Sequence, residues 1–144
     1  MYRRGPQGLE LLLVHPGGPF WAKKDLGAWS IPKGEYAPPE EPLVAAMREF
    51  EEELGMRPTG KVQPLGELTQ PSRKIVSAWA LEGDFDPRDL RPGTFEMEWP
   101  PKSGRIAAFP EVDRAAWFSP ARAREKILAG QREFIARLER LVAA

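Results

Sequence analysis

The chain has 144 residues, enough for one domain with its own hydrophobic core over 1–144. It carries 21 Lys and Arg against 21 Asp and Glu, a formal net charge of zero, which argues against DNA or an anionic membrane as a partner. The absence of cysteine excludes disulfides, thiolate metal sites and a cysteine nucleophile, and no signal-like or 18-residue apolar run is present, so a cytoplasmic location is expected.

Residues 8–15 (GLELLLVH) form an apolar run too short for a core helix before the breakers Pro16-Gly17-Gly18, which predicts a strand. A second, short strand is expected over 27–32. From Pro42 to Leu54 the apolar residues Leu43, Met47, Phe50 and Leu54 recur at helical spacing, with Ala46 on the same stripe. Residues 61–70 and 74–81 read as two strands joined by a turn at 70–73. The stretch 83–93 (GDFDPRDLRPG) is loop chemistry. Short strands are expected over 94–99 and 104–108, around a turn at 100–103, and a last strand over 115–118. Ser119 then caps a long amphipathic helix from 120 to about 142, with Pro120 at its first position and Gly130 its weak point. Its buried face is marked by Leu128, Phe134, Ile135, Leu138 and Leu141.

The helix over 42–54 carries the chemistry. Glu49, Glu52 and Glu53 lie three and four positions apart, so they converge on one helical face within a turn. Like charges at that spacing repel by roughly 0.2–0.5 kcal/mol per pair even on an exposed helix. A hard cation relieves the repulsion, and carboxylate oxygens around a phosphate suit Mg²⁺ or Mn²⁺. Arg48 stands four residues before Glu52 and can hold one carboxylate while others bind metal. An acidic run such as EFEEE is more often a solvated face. Here, however, Gly34, Glu40, Arg48, Glu49, Glu52, Glu53 and Gly55, with apolar Phe50 and Met56, fill the pattern G-x5-E-x7-R-E-U-x-E-E-x-G-U without a gap.

That pattern, from Gly34 to Met56, resembles the Nudix box of the Nudix hydrolases. The resemblance extends to the WSIPKG lead-in, the two strands after the box, the DRAAWF segment and the C-terminal helix. It implies an α+β fold, an α/β/α sandwich with a mixed, twisted sheet between helices. Members usually open on an apolar strand; here the chain starts at Met1-Tyr2-Arg3-Arg4, so that strand is either short or begins upstream. The implied reaction is hydrolysis of a nucleoside diphosphate linked to another group, by attack of water at phosphorus. By motif position Glu49, Glu52 and Glu53 would be the metal ligands, Glu52 or Glu53 would also lie near the water, and Arg48 would orient them. In many members the proton acceptor instead follows the box, where Glu96 and Glu98 are the candidates. Glu40 would make an outer contact.

Lys33, immediately before Gly34, is the candidate for a substrate phosphate, with Arg4, Lys24 and Arg73 weaker ones. Phe20, Trp21 and Trp99 lie in expected loops and are candidates to stack a base, against the plainer reading that they cover sandwich edges. His15, the lone histidine, reads as structural at a strand end. The WSIPKG run is similar to the lead-in of members acting on dinucleoside polyphosphates and inositol pyrophosphates. The tyrosine that the nucleotide enzymes often carry past the box is missing, because the tyrosines are Tyr2 and Tyr36. Pro71, fifteen residues past Met56, instead matches where ADP-ribose members carry a proline. A (di)nucleoside polyphosphate or nucleoside triphosphate is the expected substrate. ADP-ribose or nucleotide-sugar hydrolysis, and a non-catalytic nucleotide-binding regulator, are the alternatives. Open sheet edges make a homodimer reasonable.

Overall fold

In the computed structural model, residues 1–33 and 39–143 are described. Strand β1 (Tyr2–Gly5) turns into β2 (Gly8–Pro16), and helix α1 (Pro42–Leu54) follows. Next come β3 (Val62–Thr69), β4 (Ile75–Leu81), β5 (Thr94–Glu98), β6 (Ile106–Pro110) and β7 (Val112–Phe118). Helices α2 (Pro120–Lys126) and α3 (Glu133–Ala143) close the chain. Among the described residues no helix is long and apolar enough to cross a membrane.

Strand β2 explains the layering. Its run Leu11-Leu12-Leu13-Val14 is buried on both sides, as a strand covered on both faces requires. Leu11 and Leu13 point into a core with Trp29, Ala123, Ile127, Ile135 and Leu138, supplied mainly by α2 and α3. Leu12 and Val14 point into a second core with Phe50 and Leu54 of α1, Phe85, Val112 and Ala115. The period-two alternation of one strand thus feeds two hydrophobic cores, and helices lie on either side of the sheet. Strands β1, β2 and β7 pair antiparallel in that order, with Tyr2 opposite Leu11 and Leu13 opposite Ala116. The β3–β4 hairpin adjoins β1 through a parallel bridge between Tyr2 and Glu82, which makes the arrangement mixed. The hairpin β5–β6 stands apart, with Thr94 opposite Pro110 and Glu98 opposite Ile106.

The N-terminal strand, expected to be short or to begin upstream, is present and four residues long. Two expectations need correction. Segment 27–32 is no strand. Ser30 exchanges both backbone hydrogen bonds with Val14, and Trp29 bridges to Ile127 on the other side. The ladder stops there because the Ile31 N–H donates to the Gln131 side chain instead. The long helix is two helices separated by a 3₁₀ turn at Ala129–Gln131. Ile127 leaves helical geometry (φ −75°, ψ 151°), which lets Trp29 take the Leu128 N–H. Gln70 Nε2 donates to the Gly130 carbonyl, and a Cβ at 130 would stand 2.2 Å from the Gln70 side-chain oxygen.

His15 is fully buried, with Nδ1 2.8 Å from Asp113 Oδ1 and Nε2 2.6 Å from the Lys24 carbonyl. It ties the loop after β2 back to the sheet.

Candidate active site

Helix α1 presents its acidic face because its other face is committed to the core through Ala45, Phe50 and Leu54. Pro42 opens it at a position where a missing N–H costs nothing, and Gly55 ends it in the left-handed region at φ 82°, its N–H donating to the Glu51 carbonyl. No other residue fits there. A Cβ at 55 would lie 2.3 Å from Arg91 Cβ and 2.6 Å from the Arg91 carbonyl oxygen.

Arg48 organises the face. Its Nε and Nη2 form a two-pronged pair with the Glu40 carboxylate, both at 2.9 Å. Its Nη1 donates to Glu49 at 2.8 Å and to Glu52 at 3.2 Å. These partners raise the Arg48 pKa, and Arg48 holds the Glu40 carboxyl below its ordinary value. Glu53 turns the opposite way and is 9 % exposed. Its Oε2 accepts the Lys33 backbone N–H at 3.2 Å. Burial, reinforced by the charges of Glu49 and Glu111, pushes the Glu53 carboxyl up to about 8 against the pull of that hydrogen bond.

Glu111, between β6 and β7, was not singled out by the sequence. It arrives through a backbone relay. The Leu54 and Glu52 carbonyls accept the N–H groups of Arg91 and Gly93, and the Gly93 carbonyl accepts that of Glu111. Gly17 then donates to the Glu111 carbonyl at 3.0 Å. The Glu111 carboxyl is raised first by burial and then by Glu49 and Glu52, so it belongs to the α1 group electrostatically. Nothing in the pattern of residues 110–112 points to it. Only the tertiary path through 91–93 does.

The structure therefore brings together Arg48, Glu49, Glu52 and Glu53, with Glu40 behind them, Lys33 beside them and Glu111 as the newcomer. Glu96 and Glu98 stand elsewhere, on the exposed face of β5, and Glu98 closes the hairpin turn by accepting the Lys102 N–H at 2.7 Å. Trp99 meets Phe20 edge to face with ring centroids 5.5 Å apart, while Lys24 Nζ lies 4.9 Å over the Trp21 ring. Arg73 occupies the β3–β4 turn at φ 69°. Arg4 pairs with Glu82 at 3.5 Å. Gly34, at the head of the box, lies outside the described residues.

A groove of about 1050 Å³ runs between α1, the β3–β4 hairpin and α3. Its walls are apolar, including Leu43, Met47, Phe50 and Phe134, and Lys33 and Arg73 contribute charge to its lining. Because the Lys33 backbone holds Glu53, the groove abuts the carboxylates. As they stand, no three Asp, Glu or His side chains among the described residues converge to ligate one ion, with Glu49 and Glu52 turned to Arg48 and Glu53 to Lys33.

A family model described as NUDIX domain matches residues 2–138. The Ap4A hydrolase of C. elegans, solved as a binary complex, superposes with a TM-score of 0.65 at 21 % identity, over 99 % of this chain and 93 % of that one. The NUDIX domain of NrtR from Shewanella oneidensis, complexed with ADP-ribose, gives 0.64 at 17 %, over 98 % and 82 %. A MutT protein from Methanosarcina mazei gives 0.59 at 20 %, over 99 % and 91 %. At such identities the likeness is one of fold. No curated protein matches the chain. With the family model spanning nearly all of it and the carboxylate helix standing where the box lies, this chain belongs to the NUDIX family of pyrophosphohydrolases.

Proposed function

We propose that the chain hydrolyses the pyrophosphate linkage of a dinucleoside polyphosphate or a nucleoside triphosphate, by attack of water at phosphorus. The observation that carries this reading is Glu53, a carboxyl raised by burial and by the charges of Glu49 and Glu111, beside a groove large enough for a nucleoside. Such a carboxyl is held protonated until positive charge arrives.

Glu49, Glu52 and Glu53 are all oxygen donors, a set that fits Mg²⁺ or Mn²⁺ and would hold it. What a bound cation supplies is charge, neutralising the diphosphate and the crowded carboxylates together. The chain's own groups do the rest. Arg48 fixes Glu49 and Glu52 from behind. Glu111, whose carboxyl burial and the charges of Glu49 and Glu52 raise above its ordinary value, takes the proton of the attacking water in place of Glu96 or Glu98. Lys33 sets its ammonium against a substrate phosphate as a point charge. The apolar groove receives the nucleoside.

ADP-ribose or a nucleotide sugar is the second reading, favoured by Pro71, which lines the groove. Nucleotide and phosphate release from diadenosine polyphosphates, ADP-ribose, NADH, ordinary and oxidised NTPs and an inositol pyrophosphate, with Mg²⁺ or Mn²⁺, separates the two. Turnover of one class that Glu52→Gln abolishes is the expected result. Metal-dependent binding with no turnover of any compound would instead make the chain a nucleotide-binding regulator.

A further inference from the structure

Phe20 is the exposed aromatic among the described large apolar side chains, at 59 %. A ring that merely covers a sheet edge is buried by doing so; this one touches Trp99 edge to face at 5.5 Å and leaves most of its surface open. Its position is fixed from both sides. At the start of its loop, Gly17 is bonded to Glu111, and a Cβ there would stand 1.9 Å from the Pro110 carbonyl oxygen. Gly18, at φ 94°, lets the backbone pass 2.9 Å from Phe95 as measured to a Cβ it lacks. At the end of the loop the Lys24 carbonyl is held by buried His15. The aromatic pair is therefore seated on the same hairpin that ends at Glu111.

The hairpin also sets a distance. Thr94 pairs with Pro110, next to Glu111, while the Trp99 N–H donates to the Arg105 carbonyl at the far end. From Thr94 to Trp99 an antiparallel strand rises about 17 Å. That exceeds the reach of a nucleoside diphosphate from the carboxylates and suits a base carried on three or more phosphates. Cations stand at that far end. Lys102 and Arg105, in the hairpin turn, are exposed and have no ion pair among the described residues, and the nearby Glu98 carboxylate is engaged by the Lys102 N–H.

We propose that Phe20 and Trp99 form a stacking platform for a nucleobase at the far end of a nucleotide polyphosphate whose cleaved linkage lies at α1 and Glu111, the groove by Lys33 taking the nucleoside on the other side. The proposal rests on the hydrolase reading above and names its substrate as one with a base at each end. Stacking tolerates any base, because every base offers a π-face, and its loss by alanine substitution weakens binding by about 10-fold.

The test compares binding of diadenosine tetraphosphate with that of adenosine 5′-tetraphosphate, in Mg²⁺, to the full chain carrying Glu52→Gln so that nothing is consumed. The two-base ligand is expected to bind tighter by about 10-fold, and Phe20→Ala or Trp99→Ala to erase that preference while Trp99→Phe keeps it. Matched melting temperatures establish that each variant is folded. A preference that survives Phe20→Ala, an equal loss for both ligands, or binding of neither overturns the platform. If the parent chain turns over no substrate yet the preference appears and falls with Phe20→Ala, the hydrolase reading fails alone and the platform stands.

Discussion

Two acidic stretches of this chain look alike on paper and are treated oppositely by the fold. On α1, Glu49, Glu52 and Glu53 meet Glu111 in a space where burial and like charge raise the Glu53 and Glu111 carboxyls above their ordinary range. On β5, Glu96 and Glu98 alternate with Phe95 and Met97, so both face solvent. Density of carboxylates is the same kind of signal in each. What distinguishes them is desolvation, which depends on a third segment, the 91–93 relay, that packs Glu111 against the end of α1.

The largest expected effect separates these stretches by rate. Glu111→Gln is expected to lower kcat by about 10²–10⁴-fold on the substrate chosen by the panel, as removal of a proton acceptor does. Glu96→Gln lacks any link to the α1 group and should stay within about twofold, since exposed substitutions away from buried features change little. Steady-state kinetics with Mg²⁺ decide between them. Equal losses would return the proton acceptor to the hairpin.

Stability gives the next contrast. Gly55→Ala places a side chain at φ 82° and within 2.3 Å of Arg91, so it should cost about 1–3 kcal/mol from the backbone alone, with more from the collision. Gly104, at φ 73° on the hairpin turn, has open space around it. Gly104→Ala should therefore cost only the same conformational part, about 1–3 kcal/mol, with no collision added. Urea unfolding of both variants measures the difference, and the larger loss at 55 would confirm that the relay is clamped onto the helix end.

The same contrast shows how much was legible. The α1 face could be read because its carboxylates recur at helical spacing and its capping glycine stands just past the last apolar residue. Strand β2 could be read because its apolar run is too short for a core helix before the breakers Pro16-Gly17-Gly18. Of the break at Ala129–Gln131 only the weak point at Gly130 could be read, since the apolar stripe continues through it and the interruption is set from outside the helix, by Trp29 and Gln70 on its backbone and by Ile31 on the Gln131 side chain. Glu111 was hidden for the same reason, because its neighbours in sequence say nothing and its neighbours in space come from α1.

The last contrast is the cleanest check on the buried carboxyl. Burial pushes the Glu53 carboxyl up to about 8 from its ordinary 4.5, so the native state keeps a proton that the unfolded chain has already released. Its stabilising contribution is therefore complete below about pH 4.5 and is lost as pH rises through 8. Without metal, stability should fall across that window by up to about 1.4 kcal/mol per pH unit. Glu111 adds to this in the same direction. The Met1 amino group acts against it, since burial lowers that group to about 6 and the native state then holds fewer protons than the unfolded one up to its ordinary value of 8.0. The comparison with Glu53→Gln removes both complications, because the Met1 and Glu111 shares largely cancel in the difference. Denaturant melts at pH 5, 6, 7 and 8 in chelator should give parent and variant curves that converge or cross as pH rises. Mg²⁺ should then stabilise the parent more at pH 8 than at pH 6, because ligation needs the ionised carboxylate, and should stabilise Glu53→Gln less at either pH. Parallel curves in chelator would mean that Glu53 is ionised in the folded chain, and the compression that sets α1 apart from β5 would lose its main witness.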